Sequence, residues 1–206
     1  MNNPDTLDTT IERLIELLDL ESIEENIFRG ESQDIGSPQV FGGQVLGQAL
    51  TAASRTVKDR NVHSLHAYFL RRGDFEAPIV YEVDRARDGG SFSNRRVIAV
   101  QHGEQIFNMT ASFQKPEEGL EHQSEMPNVP PPEELDNLVD LIKPEWIEQL
   151  PQRIQRMLTR QRLFDIRPVE SPHFLDKTTR APSKQAWIKY KGQVPDELPL
   201  HQALLA

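Results

Sequence analysis

The segment that most constrains the fold is residues 40–53, VFGGQVLGQALTAA. It is apolar around most of its circumference, consists largely of small residues, and begins at a pair of glycines, Gly42 and Gly43. A helix with this pattern has almost no polar face to present to water, so we expect it to be buried on nearly all sides. The fold must therefore wrap other elements around one central helix.

Four strand candidates follow this helix, connected by short turns. Residues 63–70 and 78–86 alternate side chains between two faces, and residues 92–101 and 105–114 are joined by His102 and Gly103 as a hairpin. Residues 88–90, Asp-Gly-Gly, mark the preceding turn. A buried helix followed by an antiparallel meander predicts an α+β fold.

Composition excludes several classes of protein. With no cysteine the chain has no disulfides, thiolate metal sites or cysteine nucleophile. It has no apolar run of the roughly 20 residues that span a membrane and no basic leader typical of a secretory signal, so we expect a cytoplasmic protein. The net charge of −9 argues against nucleic-acid binding. The acidic residues are concentrated in residues 1–38 and 116–150, whereas residues 39–115 contain 10 basic and 7 acidic residues.

The regions flanking the meander suggest a second, related unit. We predict an N-terminal helix ending near Leu20, a strand over residues 24–31, and an acidic linker over residues 116–133 with five prolines. Helices are expected over residues 133–142 and 144–162, strands over 164–170 and 185–191, and a last helix from Asp196. Residues 166–171 resemble 27–32, and residues 201–204 resemble 47–50, which indicates an internal repeat.

The glycine pair is the strongest functional signal among the residues. Gly42 and Gly43 allow a ligand or another backbone to approach the free amides at a helix N-terminus, where an oxyanion or phosphate is favoured. Close packing of the helix on a sheet would require the same glycines, and Gln44 is either an amide donor to a substrate carbonyl or an ordinary first-turn residue. Two basic doublets, Arg71 with Arg72 and Arg95 with Arg96, either bind phosphate or lie on a solvated strand edge.

Histidine offers a weaker signal. His63 and His66 are three residues apart on a predicted strand, so we expect them to face opposite sides and not to share a metal. His63 is a candidate catalytic base, although no partner that would orient its ring is near in sequence. The alternative, which the sequence favours, is a strand histidine that is hydrogen-bonded within the fold. His102 and His122 are expected to be solvated. The motifs of zinc proteases, α/β hydrolases and nucleotide-binding units are absent from the sequence, and neither a metal nor a cofactor is expected.

Taken in order, these segments resemble the acyl-CoA thioesterase II family, whose members are tandem double hotdog proteins. The likeness covers nearly the whole chain. Its matching stretches are residues 24–30, 39–50, 62–71, 88–92, 109–114, 122–123, 126–127, 167–170, 187–188, 194–196 and 201–202, with Arg95, Val97 and Phe107. One small departure is Arg72, where many relatives have proline.

The resemblance implies a hotdog fold, an antiparallel sheet wrapped around a central helix. It further implies an N-terminal helix over residues 1–20, a first hotdog over 21–115, a linker with helices over 116–162, and the incomplete start of a second hotdog over 163–206. The implied activity is hydrolysis of acyl-CoA to fatty acid and coenzyme A by a carboxylate-oriented water, with an oxyanion stabilised at a helix mouth. On this basis Gly42, Gly43, Gln44, Arg71 and Arg95 are the expected substrate-binding residues.

The resemblance also implies an aspartate, a Ser or Thr and a Gln as catalytic residues, at positions beyond Ala206. We therefore expect this chain to be inactive or impaired as a thioesterase. The alternative is a noncatalytic acyl-CoA binding or protein interaction module. An enoyl-CoA hydratase of the same fold would need an Asp and His pair that Gly42, Gly43 and Gln44 do not provide. Exposed leucines near the end of the chain and unpaired sheet edges favour a homo-oligomer.

Overall fold

The structure is a computed structural model, which describes residues 11–33, 39–142, 144–149, 155, 164–170, 179 and 182–206. Its helices are α1 (Ile11–Leu18), α2 (Gly42–Arg55), α3 (Pro144–Glu148) and α4 (Leu198–Leu205), with a 3-10 turn at Pro132–Glu134. Its strands are β1 (Glu21–Glu24), β2 (Ile27–Gly30), β3 (Asn61–Phe69), β4 (Ile79–Asp88), β5 (Phe92–Gln101), β6 (Glu104–Gln114), β7 (Phe164–Pro168) and β8 (Ala186–Tyr190).

Six of the strands form one antiparallel sheet in the order β1-β2-β4-β5-β6-β3, and α2 packs against it. Inward residues of the sheet alternate with outward ones, as the period of two in the sequence predicts. The fully buried residues Tyr81, Val97, Phe107, Met109 and Phe113 form the core together with α2. The predicted α+β fold, a helix wrapped by an antiparallel meander, is confirmed for this region.

Helix α2 is as buried as its composition predicts. Eight of its 14 residues are buried, and Ala49, Ala52 and Ala53 have no exposed surface. Small residues also allow α4 to approach closely: a Cβ on Gly47 would lie 2.7 Å from the carbonyl oxygen of Ala203. A second helix therefore packs against α2 at the position of a glycine.

The strand predicted over residues 24–31 is confirmed as β2, but β1, which forms a hairpin with it, was not predicted. β1 and β2 pair antiparallel, with Ser22 opposite Phe28, and only two residues, Glu25 and Asn26, connect them. The error arose because β1 has two glutamates and all its residues are exposed, so its sequence lacks an apolar alternation. Backbone pairing with β2, together with the Arg29–Glu21 ion pair at 2.8 Å, holds it in the sheet.

The second compact unit comprises residues 9–11 and 120–193, and the first comprises residues 1–8, 12–119 and 194–206. Strands β7 and β8 pair antiparallel, at positions close to those predicted. The predicted helix over residues 133–142 is wrong, since only the 3-10 turn and further turns form there. Asn137 accepts a hydrogen bond from the Val139 amide, and Leu138 donates to the carbonyl of Ile166, so these groups are withdrawn from helical pairing.

Two further sequence predictions concern the helix over residues 144–162 and the last residues of the chain. The helix predicted over residues 144–162 is seen as α3, and most of its remainder lies outside the described residues. Residues 194–206, which include α4, belong to the first compact unit. The sequence had instead grouped them with residues 163–193 in a second hotdog. The reason is the packing of α4 on α2 and β3, in which Gln202 donates to the carbonyl of Val62 at 3.0 Å. A tandem repeat stays a prediction.

Candidate functional site

A cavity of about 430 Å³ opens at the N-terminal end of α2, and we call it the α2 cavity. It lies between the start of α2, the end of β3 and the start of β6. Its walls combine apolar side chains with glycine, one amide and two cations: Gln39, Val40, Gly42, Val45, Phe69, Leu70, Arg71, Arg72, Gly73, Ile106 and Phe107. A largely apolar cleft with a few polar groups is typical of small-molecule sites.

The two glycines at the start of α2 are required by aromatic rings. A Cβ on Gly42 would lie 3.1 Å from the ring of Phe69, and one on Gly43 would lie 2.5 Å from the ring of Phe41. The Phe69 ring in turn packs on Phe107, with centroids 5.0 Å apart. Gly42 also lines the cavity. The first amides of a helix, those of Gly42 and Gly43 here, have no acceptor within it, whereas the amide of Gln44 donates to the carbonyl of Phe41 at 3.1 Å. Close packing and ligand access, the two alternatives from the sequence, thus coexist at Gly42.

The arginine doublet at the end of β3 is fixed by backbone contacts on both sides. The carbonyl of Ile106 accepts hydrogen bonds from the amides of Leu70 and Arg71, and the carbonyl of Gly73 accepts one from Val40 at 3.0 Å. Gly73 permits this approach, because a Cβ there would lie 3.1 Å from the Val40 side chain. The segment that carries Arg71 and Arg72 is therefore held against the mouth of α2.

Gln44 has a structural role in this arrangement. Its side-chain nitrogen donates to the carbonyl of Glu31 at 3.0 Å, and its oxygen accepts from the amide of Gln33 at 3.3 Å. Gln44 is buried and does not line the α2 cavity. Both polar atoms thus fasten α2 to the segment after β2, and a contact with substrate stays a prediction.

A second buried amide, which sequence reasoning missed, lies one turn further along α2. Gln48 donates to the carbonyls of Leu17 and Glu31 and accepts from the hydroxyl of Tyr81 at 2.7 Å. Gln48 and Tyr81 are fully buried, and burial raises the pKa of the Tyr81 phenol well above its usual range. Gly30 is adjacent, since a Cβ there would lie 2.8 Å from the Gln48 amide. A glutamine in an otherwise apolar helix is the signal that identifies such a buried partner.

Arg95 lies at the opposite end of α2 and is 1% exposed. Its guanidinium donates to the hydroxyl and carbonyl of Thr56, which caps α2, to the carbonyls of Arg87 and Asn94, and to Asp88 at 2.7 Å. The solvated-edge interpretation of Arg95 is therefore wrong, although Arg96 is exposed as expected. Because its donors are engaged and α2 separates it by about 20 Å from the cavity, Arg95 has an internal role here, and phosphate binding by it stays a prediction.

The hydrogen bond that Ser93 donates, followed by that from Arg95, lowers the pKa of the Asp88 carboxyl. A second carboxyl, Asp74, has its pKa lowered by the amide of Glu76 and then by His102, whose ring lies 3.0 Å from it. His102 is thus exposed but paired.

The expectation that His63 and His66 face opposite sides is wrong. A β-bulge between Val62 and Ser64 shifts the alternation. The His63 ring bonds the hydroxyl of Ser112 at 2.9 Å, on the sheet face that also carries Thr110, the cross-strand partner of His66. His63 lies near the start of β3 and the cavity near its end, about 20 Å apart. A direct catalytic contact from His63 to a ligand in the cavity is not supported by this geometry.

Comparison with known proteins assigns this architecture to a family. The chain is 44% identical to acyl-CoA thioesterase 2 of Haemophilus influenzae over 198 residues, which cover 95% of this chain and 68% of that protein. The chain belongs to the acyl-CoA thioesterase family. The sequence profile described as the acyl-CoA thioesterase N-terminal domain matches residues 29–114, which run from β2 through β6 and include the cavity.

Other relatives support the assignment of this chain to the acyl-CoA thioesterase family. Human acyl-coenzyme A thioesterase 8 is 38% identical over 92% of this chain, which spans 62% of that protein. A solved acyl-CoA thioesterase II from Mycobacterium marinum is 41% identical, with a TM-score of 0.69, over 93% of this chain and 66% of its own. A hot dog fold protein of Alicyclobacillus acidocaldarius, 20% identical over 94% of this chain and 68% of its own with a TM-score of 0.71, supports the fold alone. The predicted family and hotdog fold are confirmed.

The described part of this thioesterase family member was compared with the features of membrane-spanning helices and metal sites. None of its helices is long and apolar enough to cross a lipid bilayer. Within the same residues, no three side chains of His, Asp or Glu are grouped so that they could hold a metal ion.

Proposed function

We propose that this chain binds acyl-CoA in the α2 cavity and takes part in hydrolysis of the thioester. The observation that carries the proposal is the meeting of Gly42, at the mouth of a buried helix, with an apolar wall and two arginines in one cavity. Membership of the acyl-CoA thioesterase family supports the same substrate class. The cavity of about 430 Å³ suits one part of such a ligand, the thioester with the adjoining apolar chain.

Each wall of the cavity has a distinct chemical use in this proposal. The first-turn amides of α2 lie at the positive end of the helix dipole, where they stabilise the oxyanion that forms as water attacks the thioester carbonyl. Val45, Phe69 and Ile106 offer apolar surface for the carbon chain, and the arginines attract the phosphates of coenzyme A. Binding and oxyanion stabilisation therefore both come from this chain.

Noncatalytic acyl-CoA binding is the second candidate, and the composition of the cavity favours it. The described residues that line the cavity are apolar, glycine, glutamine or arginine. Arginine stays protonated and a glutamine amide does not titrate, so neither is a general base for water. Such a cavity binds and polarises the thioester without removing a proton.

One assay separates the two functions. The purified chain is incubated with acyl-CoA of increasing chain length while free thiol is followed by a colorimetric reagent, and binding is measured in parallel by calorimetry. Binding with thiol release above the uncatalysed rate supports hydrolysis. Binding without release supports the noncatalytic module and the sequence-based expectation of an impaired thioesterase. Absence of binding contradicts both.

We further propose that the chain forms a homo-oligomer through β3. This edge strand, NVHSLHAYF, is nine residues long and carries no Asp, Glu, Lys, Arg or proline, and its Tyr68 and Phe69 are more than half exposed. The opposite edge, β1, is only four residues long and contains two glutamates. Charged, short edges resist pairing with other strands, whereas β3 has neither protection.

Light scattering coupled to size-exclusion chromatography tests the oligomer. The wild-type chain is expected to exceed the mass of one 23.6 kDa copy. Tyr68→Lys should shift it to that mass, because lysine on an edge strand opposes pairing. A matched Glu24→Lys change in β1 should have no effect. The proposed interface would be contradicted if the wild-type chain were itself a monomer, or if it were an oligomer whose mass Tyr68→Lys does not change.

We also propose a cytoplasmic location, supported by the absence of cysteine from the sequence. Fractionation of cells that express the tagged chain tests it, and recovery in the secreted or periplasmic fraction would exclude it.

A further inference from the structure

We propose that Arg72 is the phosphate-binding cation of the α2 cavity and that Arg71 is a positioning residue. This inference rests on the proposed acyl-CoA binding and names the group that holds the phosphate end of the ligand. The two arginines are adjacent in sequence and both line the cavity. The structure nevertheless gives them different partners, and this difference separates their roles.

The side chain of Arg71 is bound to the start of strand β6. Its guanidinium donates to the carbonyl of Gln105 at 2.7 Å and pairs with the carboxylate of Glu104 at 2.9 Å. The Arg71 amide also donates to the carbonyl of Ile106. Its charge is therefore offset by Glu104, and its side chain is directed along the first residues of β6. A phosphate would have to compete with both contacts.

Arg72 has no side-chain hydrogen bond or ion pair with any residue in the described part of the chain. It lines the same cavity, and the backbone on either side of it is anchored through Ile106 and through Val40. An exposed arginine held at its backbone keeps its full set of donors for a ligand. Guanidinium groups bind phosphate oxygens through two parallel hydrogen bonds, which suits the phosphates of coenzyme A.

The nearest carboxylate in sequence does not neutralise Arg72. One oxygen of Asp74 accepts a hydrogen bond from the amide of Glu76 at 2.9 Å, and the other lies 3.0 Å from the His102 ring. Gln101 holds the same loop by accepting from the amide of Asp74 and donating to the carbonyls of Asp74 and Ala77. The Asp74 carboxylate is thus directed toward His102 and its own loop, and the positive charge of Arg72 remains available.

Calorimetric binding with two probes tests the assignment. Acyl-CoA carries the phosphates, and the matching acyl-pantetheine lacks them. For Arg72→Gln we expect an affinity for acyl-CoA about tenfold lower than wild type and an unchanged affinity for acyl-pantetheine. Arg72→Lys should recover part of the loss, because it restores charge without the guanidinium fork. Arg71→Gln should change the affinity by less than Arg72→Gln does.

The outcomes distinguish this inference from the proposed function. If the wild-type chain binds acyl-CoA but Arg72→Gln binds it equally well, or weakens both probes alike, the assignment of Arg72 is overturned while acyl-CoA binding stands. The assignment is also overturned if Arg71→Gln causes the larger loss. If wild type binds neither probe, the proposed function fails and this inference fails with it. Urea unfolding midpoints of all variants confirm that each is folded.

Discussion

The two ends of helix α2 differ in how their polar groups are used. At the C-terminal end, the guanidinium of Arg95 donates to the carbonyl and hydroxyl of Thr56, and the positive charge lies where the helix dipole is negative. At the N-terminal end, Gly42 opens into a cavity, and the described part of the chain offers no carboxylate in its lining. One end is closed by the protein's own cation, and the other is left accessible to a ligand.

A nearly apolar helix can thus contribute to stability at one end and to ligand binding at the other. Polar groups that are buried and fully bonded, such as Arg95, Gln48 and Tyr81, define how the helix sits in the sheet. Polar groups beside the cavity keep unused bonding capacity, as Arg72 does. Substitutions at the closed end should therefore change stability, and substitutions at the open end should change ligand affinity.

The largest effect is expected for Arg95→Met. Loss of the guanidinium leaves the buried carbonyl and hydroxyl of Thr56 without donors, so we expect the free energy of unfolding to fall by roughly 3 kcal/mol. Arg96→Met, on the same strand but 57% exposed, should change it by about 0.5 kcal/mol or less. Urea denaturation measures both, and equal effects would show that the closed end has no special role.

A smaller loss is expected at the middle of the helix. Gln48→Leu leaves the Tyr81 hydroxyl and the carbonyl of Leu17 unpaired and removes one of the two side-chain donors to the carbonyl of Glu31, so we expect a loss of about 2 kcal/mol. Tyr81→Phe removes one of these bonds and should cost about 1 kcal/mol. Thermal unfolding followed by circular dichroism ranks the two variants. If Tyr81→Phe lowered the stability more than Gln48→Leu does, the proposed role of the Gln48 hydrogen bonds would be contradicted.

At the open end, Gly42→Ala should act on binding. The new methyl would lie 3.1 Å from the Phe69 ring and must displace it within the cavity, so we expect acyl-CoA affinity to fall about tenfold, or ~1.4 kcal/mol. Gly90→Ala is the matched control, because a Cβ there meets no atom within 4 Å. Calorimetry measures the affinities, and unfolding midpoints should stay near wild type. An unchanged affinity for Gly42→Ala would place the ligand elsewhere.

The smallest effect concerns pH. The hydrogen bond from Ser93, then that from Arg95, lowers the pKa of Asp88 in the folded state. The stability that Asp88 contributes is therefore present above its unfolded pKa of about 4 and is lost as pH falls through the lower folded value. Asp88→Asn should remove this part of the acid dependence below about pH 4. Unfolding curves between pH 2 and 7 check it, and an identical dependence in wild type and variant would contradict the role of Asp88.

Much of the fold was predictable from local pattern. The small apolar residues of α2 and the alternation in β4, β5 and β6 specify a buried helix and a half-buried sheet, since each pattern satisfies only one geometry. Strand β1 was missed because its acidic residues carry no such alternation, and pairing with β2 decides its structure. The helix expected over residues 133–142 failed because Asn137 and Leu138 bond elsewhere.

The candidate site was predictable only in part. Gly42 and Arg71 were identified from the sequence and do lie in one cavity, but Gln44, Arg95 and His63 have other partners. Residue type alone does not distinguish a buried arginine from a ligand-binding one. A bulge of one residue in β3 was enough to reverse the expected direction of His63, because side chains alternate with a period of two.

The burial of α2 follows from the sequence alone, because composition and periodicity act over short stretches of chain, and resemblance to the acyl-CoA thioesterase II family indicated the hotdog fold. Which polar side chains are hydrogen-bonded inside the protein, and which stay available to a ligand, depends on long-range packing. Thr56 and Arg95, Gln48 and Tyr81, and Arg71 and Gln105 are separated by more than 30 residues in sequence, and their hydrogen bonds exist only once the sheet has closed around the helix. Arg72 is left without such a partner among the described residues, and that outcome of long-range packing assigns its proposed role.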